Sequence, residues 1–390
     1  MSIQAPRFLV VAGEASGDIH GSELVRALSE IYPSASFCGL GGKKMRAAGM
    51  HTLFDIDRTG AVGFVEVLGE LSHFYTIYKT LEAEIKSGKY AGMILVDYPT
   101  LNLRLARLGK KYGCPVFFFV SPQVWAWRKG RIKVIRENID KLYVVFPFEK
   151  DMYAEAGMDV EFMGHPFVEV VKPSMDKADA IRELGLQPGR RVIGLLPGSR
   201  KKEIQFLLNV MLEAAQKIKD ELGDCQFILP IADTIDPEFI REVLKDNPLD
   251  IKTVIGKNYD VMNCCDFMIV ASGSATLEAG ILGCPMVIIY KLNWMTYLLA
   301  KLLVKADDVG LINIVAGRRI VPELIQGQAN AQNIVQESLK ILRDPDHYHA
   351  MRGHLLKVRA MLGEPGVMPR IAKNISDYLQ ARAHHEKISI

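Results

Sequence analysis

Residues Ala271–Tyr290 read "ASGSATLEAGILGCPMVIIY", the order expected for the end of a strand, a turn of small residues, a helix and a second strand. Two apolar strands joined by a helix are typical of a parallel sheet in an α/β protein. The turn offers small side chains and backbone N–H groups at a helix start, which favours an anion. Its residues are Ser272, Gly273, Ser274 and Thr276. Glu278 follows one turn later and predicts that the anion also carries hydroxyl groups.

The same alternation of apolar runs and helical segments extends in both directions along the chain. The further predicted strands are "RFLVVAG", "GMILVDYP", "CPVFFFVSP", "KLYVVFPF", "RVIGLLPGSR", "CQFILPIA" and "DFMIVAS". The pattern breaks near residues 163–180 and then restarts. We therefore predict an α/β fold of two Rossmann-like, doubly wound halves, 1–165 and 166–364, with a terminal helix at about 365–385 packing on the first half. Two facing halves would place their loops across one cleft.

The composition narrows the class of function. The chain has 390 residues, 49% hydrophobic and 24% charged, which suits two buried cores. A net charge of +3 argues against a nucleic-acid partner. Six cysteines without a Cys-x-x-Cys pair argue against zinc, and the short apolar start predicts no secretory signal. A mean hydropathy of +0.10 suggests an exposed apolar surface.

The segment "LLPGSRKKEI", Leu195–Ile204, runs from a strand through a turn into a helix. Gly198 would let a ligand approach the backbone, Ser199 could bond a phosphate oxygen, and Arg200 offers a planar fork to a diphosphate. The alternative is a capped turn with a surface arginine. Combined with the Ser272–Thr276 turn, this loop predicts a nucleotide diphosphate site with Glu278 on the ribose. Otherwise, Glu278 merely complements the helix dipole.

Acidic residues mark two strand ends of the first half. "GEASGD" places Glu14 and Asp18 after the first strand, where they suit sugar hydroxyls; the alternative is capping by Ser16 and Asp18. "LVDYPTLN" places Asp97 at a strand end, because Pro99 stops the strand. A carboxylate there could take a proton from a hydroxyl, and a turn-forming role is the alternative. We predict Asp97 as the general base, with Glu14 as the second candidate.

Three further segments carry candidate acceptor or lipid contacts. "SPQVWAWR" contributes Gln123, Trp125 and Arg128, with core packing as the alternative. The basic run "WRKGRIKVIR", 127–136, is either a solvated helix face or an anion or membrane patch. Residues 61–75 and 293–305 are apolar helices that fit either a core or a lipid surface. The candidates in the first of these helices are Phe64, Val65, Leu68 and Leu71.

Taken in order, "VAGEASGD", "GFVEVL", "SPQVWAWR", "GHPF", "LLPGSR" and "SGSATLE" resemble the lipid-A-disaccharide synthase family nearly end to end. "VGLINIVAG" resembles the family stretch that places an asparagine, here Asn313, near the donor. The resemblance implies a GT-B fold whose two Rossmann-like domains face each other across a cleft. The first domain would bind the acceptor and its lipid, and the second would bind the UDP-sugar.

The resemblance also implies a reaction. A 2,3-diacylglucosamine unit would pass from UDP to the 6-hydroxyl of 2,3-diacylglucosamine 1-phosphate, inverting the anomeric centre to a β-1,6 linkage. The partners would be these two acylated substrates and the cytoplasmic face of the inner membrane, and a homodimer is left open. No cofactor and no metal are expected, since the chain lacks an Asp-x-Asp motif of the kind that holds a divalent ion on a diphosphate. Alternatives are a UDP-sugar epimerase, a peptidoglycan-type glycosyltransferase or a non-catalytic lipid or nucleotide-sugar binding protein.

Overall fold

The computed structural model describes residues 5–56, 67–122, 124, 130–291 and 308–388, with backbone alone for 67–73 and 386–388. The chain divides into two compact units. Unit 1 comprises Met1–Pro166 and Glu364–Ile390, and unit 2 comprises Phe167–Gly363. The boundaries predicted from the sequence lie one residue from these.

Unit 1 is built on a parallel sheet of seven strands in the order β3-β2-β1-β4-β5-β6-β7. The strands are β1 Arg7–Ala12, β2 Ser36–Gly41, β3 His51–Asp55, β4 Gly92–Val96, β5 Val116–Phe119, β6 Lys141–Val144 and β7 Glu161–Phe162. The helices are Ala15–Ile31, Lys43–Ala47, Val67–Lys86, Pro99–Lys111, Arg131–Asn138, Pro147–Glu155 and Val367–Ile388. Every residue of β4 and β5 is buried, as expected for central strands covered by helices on both faces.

Unit 2 is built on a second parallel sheet, of six strands in the order β10-β9-β8-β11-β12-β13. The strands are β8 Arg191–Leu196, β9 Cys225–Ile231, β10 Ile251–Ile255, β11 Phe267–Ala271, β12 Met286–Tyr290 and β13 Glu323–Ile325. The α-helices are Phe167–Val170, Lys177–Glu183, Lys201–Leu222, Pro237–Leu244, Asn258–Cys264, Ser274–Ile281, Leu311–Ala316, Ala331–Leu342 and Pro345–Met361. The strand–helix–strand unit predicted from Ala271–Tyr290 is β11, helix Ser274–Ile281 and β12.

In each sheet the strand order reverses once, between β1 and β4 in unit 1 and between β8 and β11 in unit 2. Helices leaving the two central strands there lie on opposite faces, so a crevice opens at the carboxyl ends of the strands. Ligands of doubly wound sheets bind at such a switch point. The fold therefore predicts ligand sites at the loops after β1 and β4, and at the loops after β8 and β11.

The last helix of the chain, Val367–Ile388, packs on helix Ala15–Ile31 of unit 1. The Tyr32 hydroxyl and the Ser376 hydroxyl share a buried hydrogen bond of 2.8 Å. Tyr143 donates to the Asn374 side-chain oxygen over 2.9 Å. These buried polar contacts explain why the end of the chain belongs to the first unit. Among the described residues, no helix combines the length and apolarity needed to cross a membrane.

Two glycines, Gly39 and Gly41, belong to β2. Gly39 has a φ of 144°, and a Cβ atom there would lie 2.0 Å from the carbonyl oxygen of Val10. A side chain at this position would therefore push β2 away from β1. The glycine serves strand pairing and not a ligand.

Candidate active site

In unit 2, two predicted loops leave neighbouring strands at the switch point. Val270 of β11 pairs with Leu196 of β8, so the chain leaves both strands at the same level of the sheet edge. Residues 197–200 follow β8, and residues 272–274 follow β11. The sheet therefore brings together the two segments in which the sequence predicts a diphosphate site.

Hydrogen bonds anchor the turn after β11, while its backbone at Gly273 is unobstructed. Ser272 donates its hydroxyl to the Val309 carbonyl oxygen over 2.8 Å, and Thr276 donates to the Gly273 carbonyl oxygen over 2.8 Å. A Cβ atom at Gly273 would meet nothing within 4 Å. Within the described residues we find no protein acceptor for the N–H groups of Gly273, Ser274 and Ala275. An anion can therefore approach the backbone at this helix start.

Glu278 lies in a half-buried position one turn into the same helix. Burial raises the pKa of its carboxyl, and a hydrogen bond from Ser274 opposes that rise. Burial also raises the pKa of Tyr259 to about 12, and the Glu278 charge adds to the effect. Glu278 thus stands next to Ser274 and Tyr259, where its carboxylate could accept hydrogen bonds from hydroxyl groups.

The loop after β8 presents a cation. Gly198 takes a φ of 111°, a conformation that favours glycine. Thr234 anchors the loop by donating its hydroxyl to the Ser199 carbonyl oxygen over 2.7 Å. The Arg200 side chain is 81% exposed and forms an ion pair with Glu203, Nη1 to Oε1 2.8 Å. Since one guanidinium edge suffices for that pair, a second N–H edge remains for a phosphate.

In unit 1 the switch point carries acidic residues. Ala12 of β1 pairs with Val96 of β4, so Gly13 and Asp97 follow at the same level of the sheet edge. Asp97 and Tyr98 both take left-handed backbone conformations, with φ of 50° and 47°. Non-glycine residues in this region cost about 1–3 kcal/mol each and are held by their surroundings. The strain lies at the predicted general base.

Two contacts hold this strained dipeptide. The Asn102 side-chain nitrogen donates to the carbonyl oxygens of Asp97, Val96 and Val11, at 2.7, 3.2 and 3.4 Å. The Tyr98 ring lies over Gly13, where a Cβ atom would come within 2.2 Å of it. Asn102 is fully buried, and within the described residues its side-chain oxygen has no partner. An apolar residue would avoid that unpaired oxygen but would leave the carbonyl groups at these strand ends without their donor.

The electrostatics of Asp97 suit a base. Burial raises the pKa of its carboxyl, and the nearby charge of Glu14 raises it further, against a backbone hydrogen bond from Tyr98. The effect of Glu14 shows that the two candidate carboxylates are close in space. A carboxylate whose pKa approaches the working pH accepts a proton more readily.

The chain is similar to known proteins over nearly its whole length. The family model described as lipid-A-disaccharide synthetase matches residues 8–363. The chain belongs to the lipid-A-disaccharide synthase family. A relative named lipid-A-disaccharide synthase from Geobacter sulfurreducens is 44% identical over 373 residues, which are 96% of this chain and 97% of the relative.

Solved structures show the fold. A UDP co-structure of MnaA from S. aureus has a TM-score of 0.64 at 15% identity, covering 96% of this chain and 97% of that one. A glycosyltransferase from Rickettsia africae has a TM-score of 0.59 at 14% identity, covering 97% of this chain and 99% of that one. The predicted GT-B fold class is confirmed, with the two Rossmann-like units described above.

Asn313, which the family resemblance placed near the donor, is fully buried. Its amide donates to Glu323 Oε1 over 2.8 Å, and its oxygen accepts from the N–H of Val321 over 3.0 Å. Glu323 in turn accepts from the N–H groups of Val309 and Gly310, at 2.8 and 2.9 Å. Because Val309 accepts the Ser272 hydroxyl, Asn313 supports the turn after β11 from behind. Glu323, which the sequence analysis missed, completes this support.

Asp18 does not cap its own helix, which was the alternative predicted from the sequence, but bonds the start of helix Lys43–Ala47. The helix begins at Ala15, so Asp18 lies in its first turn and is buried. Its carboxylate accepts the N–H groups of Gly42, Lys44 and Met45, at 2.8, 3.0 and 3.0 Å. These bonds fix the start of helix Lys43–Ala47, and the predicted contact of Asp18 with a sugar hydroxyl stays a prediction.

Several residues with predicted acceptor or lipid contacts lie outside the part of the chain that the structure describes. Phe64, Val65, Gln123, Trp125 and Arg128 lie outside the described residues, as do all of residues 293–305. Leu68 and Leu71 belong to helix Val67–Lys86, but only their backbone is described. For these residues the predicted acceptor and lipid roles stay predictions.

Two histidines near the carboxyl edge of the unit 1 sheet, half-buried His20 and buried His165, were also missed. His20 packs edge-on against Phe119, the last residue of β5, with ring centroids 5.9 Å apart. His165 packs against Phe146 at 5.2 Å. Burial lowers the pKa of His20 to about 4 and that of His165 to about 3, to which the proximity of His20 contributes. Both imidazoles are therefore neutral at physiological pH.

The sequence does contain two Asp-x-Asp triplets, 55–57 and 344–346. Asp55, at the end of β3, forms an ion pair with Arg46. Asp344 caps helix Pro345–Met361 by accepting the N–H groups of Asp346 and His347, at 3.0 and 3.1 Å. Neither triplet follows β8 or β11, so neither belongs to the diphosphate loops.

Proposed function

We propose that this protein transfers 2,3-diacylglucosamine from UDP to the 6-hydroxyl of 2,3-diacylglucosamine 1-phosphate. The products are the β-1,6-linked disaccharide 1-phosphate and UDP, and membership of the lipid-A-disaccharide synthase family supports this reaction. The observation that carries the proposal is the pair of switch points. One presents close carboxylates, and the other presents a helix start beside an arginine.

The second unit binds the donor in this proposal. The diphosphate lies on the helix start at Gly273–Ala275, where backbone N–H groups and the helix dipole favour negative charge. Arg200 supplies a charge-assisted hydrogen bond to the departing phosphate. Glu278 accepts the ribose hydroxyls. Preorganised donors of this kind stabilise a leaving diphosphate without a metal ion.

The first unit supplies the base. Inversion needs a single displacement in which the acceptor 6-hydroxyl attacks the anomeric carbon, loses its proton and expels UDP. Asp97 takes the proton, because it stands at the strand end, where burial and the nearby charge of Glu14 raise the pKa of its carboxyl. Glu14 keeps the role of second candidate. General-base help of this kind contributes about 10²–10⁴-fold in rate.

In this proposal, the acyl chains of both substrates contact an apolar surface of the protein at the cytoplasmic face of the inner membrane. Residues 61–75 and 293–305 are the segments whose sequence suits it. Replacing Val65 and Leu68 with serine is expected to reduce binding to lipid vesicles while leaving the melting temperature unchanged. A collapsed thermal transition would instead make these residues part of the core.

The proposal is tested by following UDP release from UDP-2,3-diacylglucosamine. UDP should appear only when the phosphorylated acceptor is present, together with the disaccharide. Isomerisation of a UDP-sugar without acceptor would indicate an epimerase, and binding without turnover would indicate a carrier. Asp97→Asn should lower turnover at least about a hundredfold while UDP affinity stays near wild type. Near-normal turnover of Asp97→Asn beside an inactive Glu14→Gln enzyme would transfer the base role to Glu14.

A further inference from the structure

A small cavity in unit 1 is lined by cationic side chains. It has a volume of about 230 Å³ and lies between helices Pro99–Lys111 and Arg131–Asn138. Arg104, Arg107 and Arg131 line it, together with Pro99, Thr100 and two aliphatic side chains. Pockets for drug-sized ligands run to about 300–1,000 Å³, so this cavity suits a small ionic group and not a whole acylated sugar.

The arginines converge because of helix geometry. Arg104 and Arg107 are three residues apart and lie on the same side of helix Pro99–Lys111 as Thr100. Arg131 opens the neighbouring helix. Three guanidinium groups around one cavity repel one another, so an anion bound among them would relieve that repulsion.

Two of these arginines, Arg104 and Arg107, have no carboxylate partner in the part of the chain that the structure describes. There, Arg104 and Arg107 form no ion pair, and no acidic side chain lines the cavity. Other exposed cations of the same unit do have acidic partners, such as Lys79 with Glu82 at 2.8 Å. Guanidinium groups bind phosphate oxygens through paired N–H donors, and phosphate is the anion that they match best.

The cavity borders the proposed base. Pro99 and Thr100 follow directly on Asp97 and Tyr98, and they form the start of the helix that carries Arg104 and Arg107. In the acceptor, the phosphate and the attacking 6-hydroxyl belong to one sugar ring. The start of the cavity lining, at Pro99, follows Asp97 by two residues, so an acceptor whose hydroxyl is held at Asp97 could direct its phosphate toward the cavity.

We propose that Arg104, Arg107 and Arg131 bind the phosphomonoester of the acceptor and thereby select the phosphorylated sugar. This inference rests on the proposed function and adds the group by which the acceptor is recognised. The same phosphate chemistry could come from a bilayer phospholipid headgroup. The concave shape and the position next to Asp97 favour the acceptor, and the experiment separates the two sources.

The test compares 2,3-diacylglucosamine 1-phosphate with the same lipid lacking phosphate, in neutral detergent micelles. The Arg104→Gln/Arg107→Gln enzyme should show a KM for the phosphorylated acceptor about 10- to 100-fold higher, with kcat retained, since charge-assisted bonds are lost. Its kcat/KM for the unphosphorylated acceptor should match wild type. Arg26→Gln, which changes an exposed arginine near the far end of helix Ala15–Ile31, should behave as wild type throughout.

Two results would overturn the inference while the proposed function stands. The first is that wild type forms the disaccharide without preferring the phosphorylated acceptor, or that the double variant prefers the phosphorylated acceptor as strongly as wild type does. The second is a double variant that loses binding to phosphatidylglycerol vesicles yet discriminates as wild type does. If wild type makes no disaccharide at all, calorimetry with glucosamine 1-phosphate and glucosamine still tests the site. Equal binding of both sugars to wild type would then refute it.

Discussion

Replacing Asn102 with alanine removes the side chain that holds the candidate base in its strained conformation. Its amide reaches the carbonyl oxygens of Asp97, Val96 and Val11, of which the Asp97 bond is the shortest at 2.7 Å. A buried carbonyl left without its donor costs about 1–3 kcal/mol. Asp97 and Tyr98, with φ of 50° and 47°, each store about 1–3 kcal/mol of backbone strain. Once the amide is gone, relaxation to ordinary φ values becomes favourable.

Relaxation of the dipeptide would turn the Asp97 carboxylate away from its present direction. A displacement of about 1 Å at a reacting group can cost about a hundredfold in rate. We therefore expect Asn102→Ala to lower kcat by about that factor while the Kd for UDP, measured by calorimetry, stays at the wild-type value. The acid limb of the kcat profile should also move, because the burial of Asp97 and its approach to Glu14 set its pKa.

A matched control separates positioning from general loss of stability. Tyr32→Phe removes a buried hydrogen bond of 2.8 Å to Ser376 in the same unit, at the opposite end of helix Ala15–Ile31. Both variants should lower the melting temperature, but only Asn102→Ala should lower kcat and shift the pH profile. If Asn102→Ala loses stability yet turns over normally well below its melting temperature, Asn102 is a core residue and the positioning role is wrong.

Four shorter predictions follow from the charges of the site. Glu14→Gln should shift the acid limb of kcat/KM to lower pH, because removing a like charge lowers the pKa of Asp97; an unmoved limb would contradict their coupling. Asp97→Asn should raise the melting temperature at neutral pH. The pKa of the Asp97 carboxyl is higher in the folded state than in the unfolded state, so its ionisation at neutral pH lowers the stability of the fold, and asparagine removes that loss. Calorimetry should show that Glu278→Ala weakens binding of UDP but not of pyrophosphate, and equal losses would assign Glu278 to the scaffold. Turnover should persist in EDTA, since Arg200 and the helix start neutralise the leaving group; a loss that magnesium restores would refute this.

The sequence predicted the strands that form the middle of each sheet, because burial on both faces leaves continuous apolar runs such as "GMILV" and "FMIVA". The strands that it missed lie toward or at the edges. β10 has a single buried residue, Val254, and β7 and β13 have two and three residues. A short or half-exposed strand has no periodicity long enough to distinguish it from a loop.

The candidate site was predictable where its residues act through the backbone of their own loop. The glycines, the helix starts and Asp97 follow strand ends that the sequence marks. Asp18 was assigned to sugar hydroxyls because its partner, the N–H of Gly42, lies 24 residues away. Nothing in the sequence singled out Asn102 and Glu323, since only the folded chain shows that both are buried against backbone groups of other segments.

The two switch points have the same topology and opposite charge, and the proposed reaction accounts for the difference. Displacing UDP requires one group to lose a proton and another to gain negative charge. A base needs a carboxylate that is poorly solvated and fixed in direction, which burial, Glu14 and the left-handed Asp97–Tyr98 backbone provide. A departing diphosphate is large and needs several donors with open access, which the unobstructed backbone at Gly273 and the exposed Arg200 provide. In the proposed reaction, each unit uses the same crevice of a doubly wound sheet, and the residues at its two strand ends determine whether it accepts a proton or an anion.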